Sequence, residues 1–326
     1  MSGSRRGFVT AVVLIAASCA PRTTHAYVRS VVQTVHGTNQ LSWSSSCETV
    51  TIYLNGFTAM TPDAVAKSIG AAAAAWGPDS VTCPADVGAG HPFFEILPQL
   101  ATGGSVPAVG KNDGKNSIVF QTTSAGDLGP EVLAFTAVSK EPSGNIVDAD
   151  IEINAASLDI IWANLDPGAP PPKNDQLRFD LQTVMTHEFG HFLGLAHTCF
   201  GSYSTMGGDG DSPPAGSQDG EGQVIPDCTD PPDSSNATQA QAVMWYIIAQ
   251  ESITKRVLTT DDARGVCAIY PPTRDPHSCT QNLPDDGCGC ATDGAPTGRL
   301  PGLALAALAL ATRRRHRRRT PGSSRG

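Results

Sequence analysis

The chain reads as an α+β protein, and three observations carry that reading. Segments with strand character cluster in the first half, at 48–56, 116–121, 132–139 and 146–153. A helical stretch from Asp180 to Leu195 follows and holds an unusual histidine pattern. A last helix begins at a cap, Thr260 or Asp261, and stops before Pro271. One further helix, at 61–77, stands between the first strand and the other three, so strands and helices do not alternate regularly, as in an α+β order.

Each element has a local reason. ETVTIYLNG (48–56) alternates apolar and polar side chains, as a half-buried strand does. In residues 61–77, Thr61 can cap, Pro62 suits the first helical position, and an alanine-rich body follows. Residues 207–236 are rich in Gly, Pro, Asp and Ser without an apolar period, so they read as a surface loop. No internal repeat is present.

Residues 187–197 read HEFGHFLGLAH. His187 and His191 are four apart, so a helix stacks them on one face, where two imidazoles can grip one zinc ion. Glu188 flanks the open coordination position. Gly194 can adopt a backbone conformation closed to other residues, which lets the chain leave the helix and bring His197 back as third ligand. Three protein ligands leave a fourth position for water, the mark of a catalytic zinc site. Two blander readings compete: a core helix with satisfied histidines, and a metal site without catalysis. The presence of Glu188 weighs against the second.

This pattern resembles the metzincin signature, and its surroundings resemble the matrixin branch. FDLQTVMTHEFGHFLGLAH (179–197) is similar to a matrixin active-site helix with its lead-in. NSIVFQ (116–121), VLAFTAV (132–138) and GNIVDADIEIN (144–154) are similar to the strands before it, and LTTDDARGVCAIYPP (258–272) to the final helix. The resemblance covers roughly residues 40–272. It implies a zincin fold: a twisted mixed β-sheet, an active-site helix, a glycine turn and a C-terminal helix. It also implies hydrolysis of peptide bonds in protein or peptide substrates, with Glu188 as general base and strand 132–138 bordering the cleft. Residues Trp245 to Ile248 would wall the pocket beyond the cut. The chain departs from the family in lacking a cysteine-switch segment and a second histidine cluster, and in a long insertion after His197.

Two methionines compete for the turn beneath the metal. The matrixin order favours Met244 over Met206. A methionine there supplies an apolar floor without adding a competing ligand. Tyr246 stands where astacin-like and serralysin-like relatives carry a tyrosine; it either bonds the oxyanion or is ordinary core.

The ends of the chain point to export. Residues 1–26 join a basic start to an apolar run, with a cleavage site after Ala26. SRRGFVT (4–10) is similar to a twin-arginine motif but also suits ordinary secretion. A catalytic domain is expected over 27–272, with a loop insertion at 200–240, then a linker over 273–299. In the tail, the apolar core Leu300 to Ala311 is shorter than the about 20 residues of a spanning helix. Seven arginines follow it. The tail (300–319) with Cys288 and Cys290 before it resembles a MYXO-CTERM-type sorting signal, which implies cell-surface association or release from the surface. A basic nucleic-acid tail is the competing reading, against which the apolar run counts.

Residues 1–26 and 312–326 hold ten arginines and no acid, so removing them takes the net charge from −9 to −19. Such a body does not bind nucleic acid. Six cysteines lie outside the leader and tail, an even count that suggests disulfides in an exported chain. Nearness in the fold that the resemblance implies favours Cys47–Cys83, Cys199–Cys228 and, more weakly, Cys267–Cys279. Calcium has candidate ligands in Asp148 and Asp150 and in Asp209, Asp211, Asp219 and Glu221, although solvated surface carboxylates account for them as well. A monomeric zinc endopeptidase is expected. The reading of another class is a non-catalytic surface or adhesion protein on the same scaffold.

Overall fold

The computed structural model describes residues 27–123, 128–129, 132–157, 160–166, 177–201, 213, 216–220, 222–229 and 237–273. The leader, the linker from 274 on, the tail, Met206 and Cys279 lie outside them.

Twelve strands and four α-helices are placed among these residues. Two short strands, β1 (Val28–Arg29) and β4 (Ser42–Trp43), flank a hairpin of β2 (Val31–Thr34) and β3 (Gly37–Gln40). Then come β5 (Cys47–Tyr53), α1 (Pro62–Trp76), β6 (Glu95–Leu100), β7 (Ser117–Gln121), β8 (Ala134–Lys140) and β9 (Asn145–Asn154). A parallel pair, β10 (Ile160–Ala163) and β11 (Leu177–Asp180), leads into α2 (Leu181–Phe192). After it stand β12 (Leu195–Ala196), a short α3 (Ala237–Gln241) and α4 (Thr260–Ile269).

The six-stranded sheet runs β4-β9-β7-β5-β6, all parallel pairings, with β8 antiparallel to β9. It is mixed and mostly parallel, as expected. The four expected strands all exist, with ends shifted by a few residues. The first stops at Tyr53 because Asn55 and Gly56 turn with positive φ. Strand β6 was not foreseen. Its Pro98 has no N–H to give a ladder, which a strand tolerates at a sheet edge, and β6 is at the edge.

Helices α1 and α2 pack against the sheet in one core. Val65, Ile69, Ala72, Ala73 and Trp76 of α1 share it with Val184, Met185, Phe189 and Phe192 of α2 and Ile151 and Ile153 of β9. The alanines keep α1 slim, so it lies close to α2, and Trp76 Nε1 donates to the Thr186 carbonyl at 2.8 Å. Thr61 caps α1 as expected, its side chain accepting from Ala64 N. Helix α4 is capped one residue earlier than expected, by Thr259. Its side chain accepts from Asp262 N, and the Asp262 side chain accepts from Thr259 N, a reciprocal capping box.

The cysteine pairing differs from expectation. Cys199–Cys228 is present, but Cys83 bonds Cys267 across 184 residues. Cys47–Cys83 and Cys267–Cys279 are therefore both excluded. Cys47 is disulfide-bonded to some other partner. The reason is packing: the loop after α1 and the buried face of α4 meet in the main core, where Cys83 and Cys267 are both buried.

Candidate metal centre

Helix α2 begins at Asp180, whose carboxylate accepts from Thr183 N at 2.8 Å and from Arg256 Nε at 2.8 Å. Burial pushes this carboxyl up, but hydrogen bonds from Arg256, Leu165 and Thr183 outweigh that and hold it below the usual range. The start of the helix is thus pinned by an ion pair between buried Asp180 and half-buried Arg256.

The other end is pinned too. Helix ends leave carbonyls without partners. Here Trp43 Nε1 donates to the Phe192 carbonyl at 2.8 Å and Tyr270 Oη to the Leu193 carbonyl at 3.0 Å. The helix stops at Phe192, short of Leu195, because the chain turns at Gly194. That glycine has φ +96°, and a Cβ on it would stand 2.8 Å from the Leu41 carbonyl oxygen. The chain then runs into β12, which pairs with β1 and delivers His197.

Three imidazoles converge. The Nε2 atoms of His187, His191 and His197 lie 3.1–3.2 Å from one another. His187 Nδ1 faces the Val243 carbonyl at 2.7 Å, and His191 Nδ1 the Leu195 carbonyl at 2.9 Å. A carbonyl only accepts, so both Nδ1 atoms carry the hydrogen, and a neutral ring then has a lone pair on Nε2. Burial, reinforced by neighbouring histidines and Lys255, holds His187 and His197 well below the usual imidazole range, which keeps them neutral. Lone pairs aimed at one another repel unless a cation sits between them. Around a tetrahedral zinc, ligand nitrogens stand about 3.3 Å apart. The donor set therefore fits zinc. Among the described residues this is the one cluster of three or more groups with metal-binding geometry.

Met244 packs against the histidine helix. It is buried, and a Cβ on Gly190 would collide with its sulphur, so the glycine between the two helical histidines makes room for it. The Met244 carbonyl accepts from Thr198 N at 3.1 Å, next to His197. Asp262 holds this turn from below, accepting from Val243 N at 2.9 Å and Met244 N at 3.3 Å. Burial pushes the Asp262 carboxyl up despite those bonds. Lys255 is also buried, donating from Nζ to the Trp245 and Ile247 carbonyls at 2.6 and 2.8 Å; burial lowers its pKa to about 7.

Glu188 is buried next to His187, and its Oε2 accepts from Thr136 Oγ1 at 2.7 Å. Tyr246 lies edge-on to His197 with ring centroids 6.4 Å apart. Trp245, expected to wall a pocket, is instead buried against the Cys199–Cys228 disulfide. Ile247 is 47% exposed and Ile248 packs partly on the main core.

The carboxylates considered for calcium are not a solvated set. Asp148 and Asp150 are buried. Asp150 accepts from Gly110 N and from Ser117 N and Oγ, tying a loop to the sheet. Asp148 is raised to about 6, chiefly by burial and then by Asp150 and Asp113. Asp219 binds its own turn through Gln223 N. Asp209, Asp211 and Glu221 lie outside the described residues.

Thr136, Lys255, Arg256 and Asp262 escaped the sequence reading. Only Asp262 had a local signal, the spacing Thr259-x-x-Asp262, which has the form of a capping box.

Residues 173–258 match the family model of peptidase family M43, described as pregnancy-associated plasma protein-A. The match takes in His187, Glu188, His191, His197 and Met244, and spans 86 of the 326 residues. No curated protein matches the chain. The matched family is of metzincin type rather than specifically matrixin, and the similarity over the three-imidazole cluster supports a zinc metallopeptidase acting on proteins or peptides.

Proposed function

We propose that the protein is an exported zinc-dependent endopeptidase with His187, His191 and His197 as metal ligands and Glu188 as general base. The observation that carries this is the cluster of three Nε2 atoms, oriented by Nδ1 donation to carbonyls at His187 and His191. Bound there, zinc supplies an acidified water and Lewis-acid polarisation of a carbonyl. Glu188 accepts a proton from the attacking water and returns it to the leaving amine. In this reading Met244 floors the site, and Tyr246, edge-on to His197, donates to the developing oxyanion. Strand β8 pairs with β9 alone among the described residues, so its other edge can take an extended substrate backbone. Ile247 and Ile248 then border the pocket beyond the cut. The resemblance over residues 40–272 supports a matrixin-like catalytic domain, and the proposal takes it to act as a monomer. Casein zymography tests this reading. Clearing that a chelator abolishes and added zinc restores is expected, with one zinc per chain; chelator-resistant clearing, or no clearing, counts against it.

Export rests on the leader and tail. Cleavage after Ala26 would leave the amino group of Tyr27 beside the buried Asp261 carboxylate, to which Tyr27 N already donates at 2.9 Å. The short apolar run and basic end of the tail hold a membrane only weakly, so stable attachment needs a second element, a lipid on processed Cys288 or Cys290. Deleting 286–326, or changing both cysteines to serine, should release active protein into the medium. Retention of the deleted form on cells would refute the sorting role. No helix among the described residues is long and apolar enough to cross a membrane.

A further inference from the structure

We infer that Thr136, on the strand expected to bind substrate, is a positioning residue for the general base Glu188. The inference rests on the peptidase reading and adds a residue to it. Thr136 and Glu188 are both buried, and they come from elements 52 residues apart in sequence. The Thr136 hydroxyl has two acceptors within range, Glu188 Oε2 at 2.7 Å and the Glu188 carbonyl at 3.3 Å. It has one hydrogen to give, and the shorter distance and the charge both assign it to the carboxylate.

A valine would suit this place on packing grounds. The position is a fully buried strand site with a β-branched side chain, paired with Ile151 on β9. A buried hydroxyl is costly unless it is hydrogen-bonded. Here it is bonded to a carboxylate on the histidine helix. A glutamate side chain has three rotatable torsions, and holding one carboxylate oxygen restrains them together. The other oxygen is then fixed relative to the three imidazoles. A general base loses efficiency quickly when it is misplaced, since a displacement of about 1 Å can cost about a hundredfold.

The placement also joins two tasks. The same strand, whose second edge has no partner strand among the described residues, holds the base through Thr136 and can take a substrate backbone on that edge. Substrate carbonyl and base are thereby referred to one rigid element. Neighbouring Phe135 and Ala137 point to the opposite face of the sheet, and Ala134 and Val138, which share the face of Thr136, have no side-chain donor to offer a carboxylate.

The test compares Thr136→Val with Thr136→Ser. Valine keeps the shape and removes the donor; serine keeps the donor and removes a methyl group. For Thr136→Val we expect kcat on a peptide to fall about tenfold to a hundredfold, as loss of a supporting hydrogen bond does. KM should change by less than about threefold, and zinc content should not change, because the ligands and the strand edge remain. Thr136→Ser should stay within about threefold of wild type. If serine is as impaired as valine, the threonine acts by packing and the inference fails. It fails also if valine keeps wild-type kcat, or loses activity only through KM or zinc.

A second measurement does not need turnover. A peptide hydroxamate chelates the metal and gives a hydrogen bond to the base. Thr136→Val should weaken its binding about tenfold in the otherwise wild-type protein and not at all in a Glu188→Ala background, because coupled residues are non-additive. Equal weakening in both backgrounds overturns the positioning role. A wild-type protein that cleaves no peptide would sink the peptidase reading, and the hydroxamate cycle would still decide the part of Thr136.

Discussion

Glu188→Ala should bind zinc as wild type does and lose at least about a hundredfold in peptide hydrolysis, the usual cost of removing a general base. The metal should stay because the three imidazoles are fixed without Glu188. His187 is held by the Val243 carbonyl, His191 by the Leu195 carbonyl, and His197 by the strand after Gly194. The helix should stay because its ends are pinned elsewhere, by Asp180 with Arg256 and by Trp43 with Tyr270. The variant does leave the Thr136 hydroxyl without its carboxylate acceptor, and its second neighbour, the Glu188 carbonyl at 3.3 Å, can take the hydrogen instead. Zinc content by atomic absorption and kcat/KM on one peptide are the two readings. Wild-type cleavage by the variant would remove Glu188 from the mechanism. Loss of zinc would show that it supports the metal and is not only a base.

Breaking the Cys83–Cys267 disulfide should have the largest effect on stability. The bond closes a loop across 184 residues, and cross-links of that span constrain the unfolded chain most strongly. Cys83→Ala with Cys267→Ala should cost about 3–5 kcal/mol, near the top of the range for a native disulfide. At about 2–4 °C per kcal/mol for a domain of this size, the melting temperature should fall by roughly 10 °C. Activity below the melt should survive, since neither sulphur touches the histidines. The bond does fasten α4, and α4 carries Asp262, which holds the methionine turn. Heat should therefore remove activity and zinc together in the variant. Peptide mapping without reduction gives an independent check: a Cys47–Cys83 fragment would contradict the fold, and an unchanged melt would mean that the cross-link adds little to packing already made by α4.

Local chemistry made much of this legible. HEFGHFLGLAH names its own geometry, because two histidines four apart must share a helix face and a glycine three residues on can reverse the chain. The result is three Nε2 atoms within 3.2 Å of one another. Thr61-Pro62 announced α1, and strands of alternating or continuous apolar character announced β5, β7, β8 and β9. Between the two methionines, family order favoured Met244, and the structure puts its sulphur against Gly190 in the histidine helix. Met206 lies outside the described residues.

Short or polar strands were not legible. β1, β4 and β12 have two residues each, too few to show a period, and they exist only because they pair with distant partners. Acidic residues are usually solvated, but Asp148 and Asp150 sit on a sheet face covered by a loop. The local pair Cys199–Cys228 is as expected, but Cys83 and Cys267 are neighbours only after α4 docks.

By itself, then, the sequence determined which residues can hold a metal and which one can move a proton, since those properties follow from side-chain type and spacing of at most eleven residues. The tertiary structure alone decided what holds those residues still. Val243 reaches His187 from 56 residues away, Thr136 reaches Glu188 from 52, and Asp262 supports the turn at Val243 and Met244 from the last helix. Such contacts leave no periodic trace in the chain, because a hydrogen bond between distant segments depends on how whole elements pack and not on the spacing of neighbours.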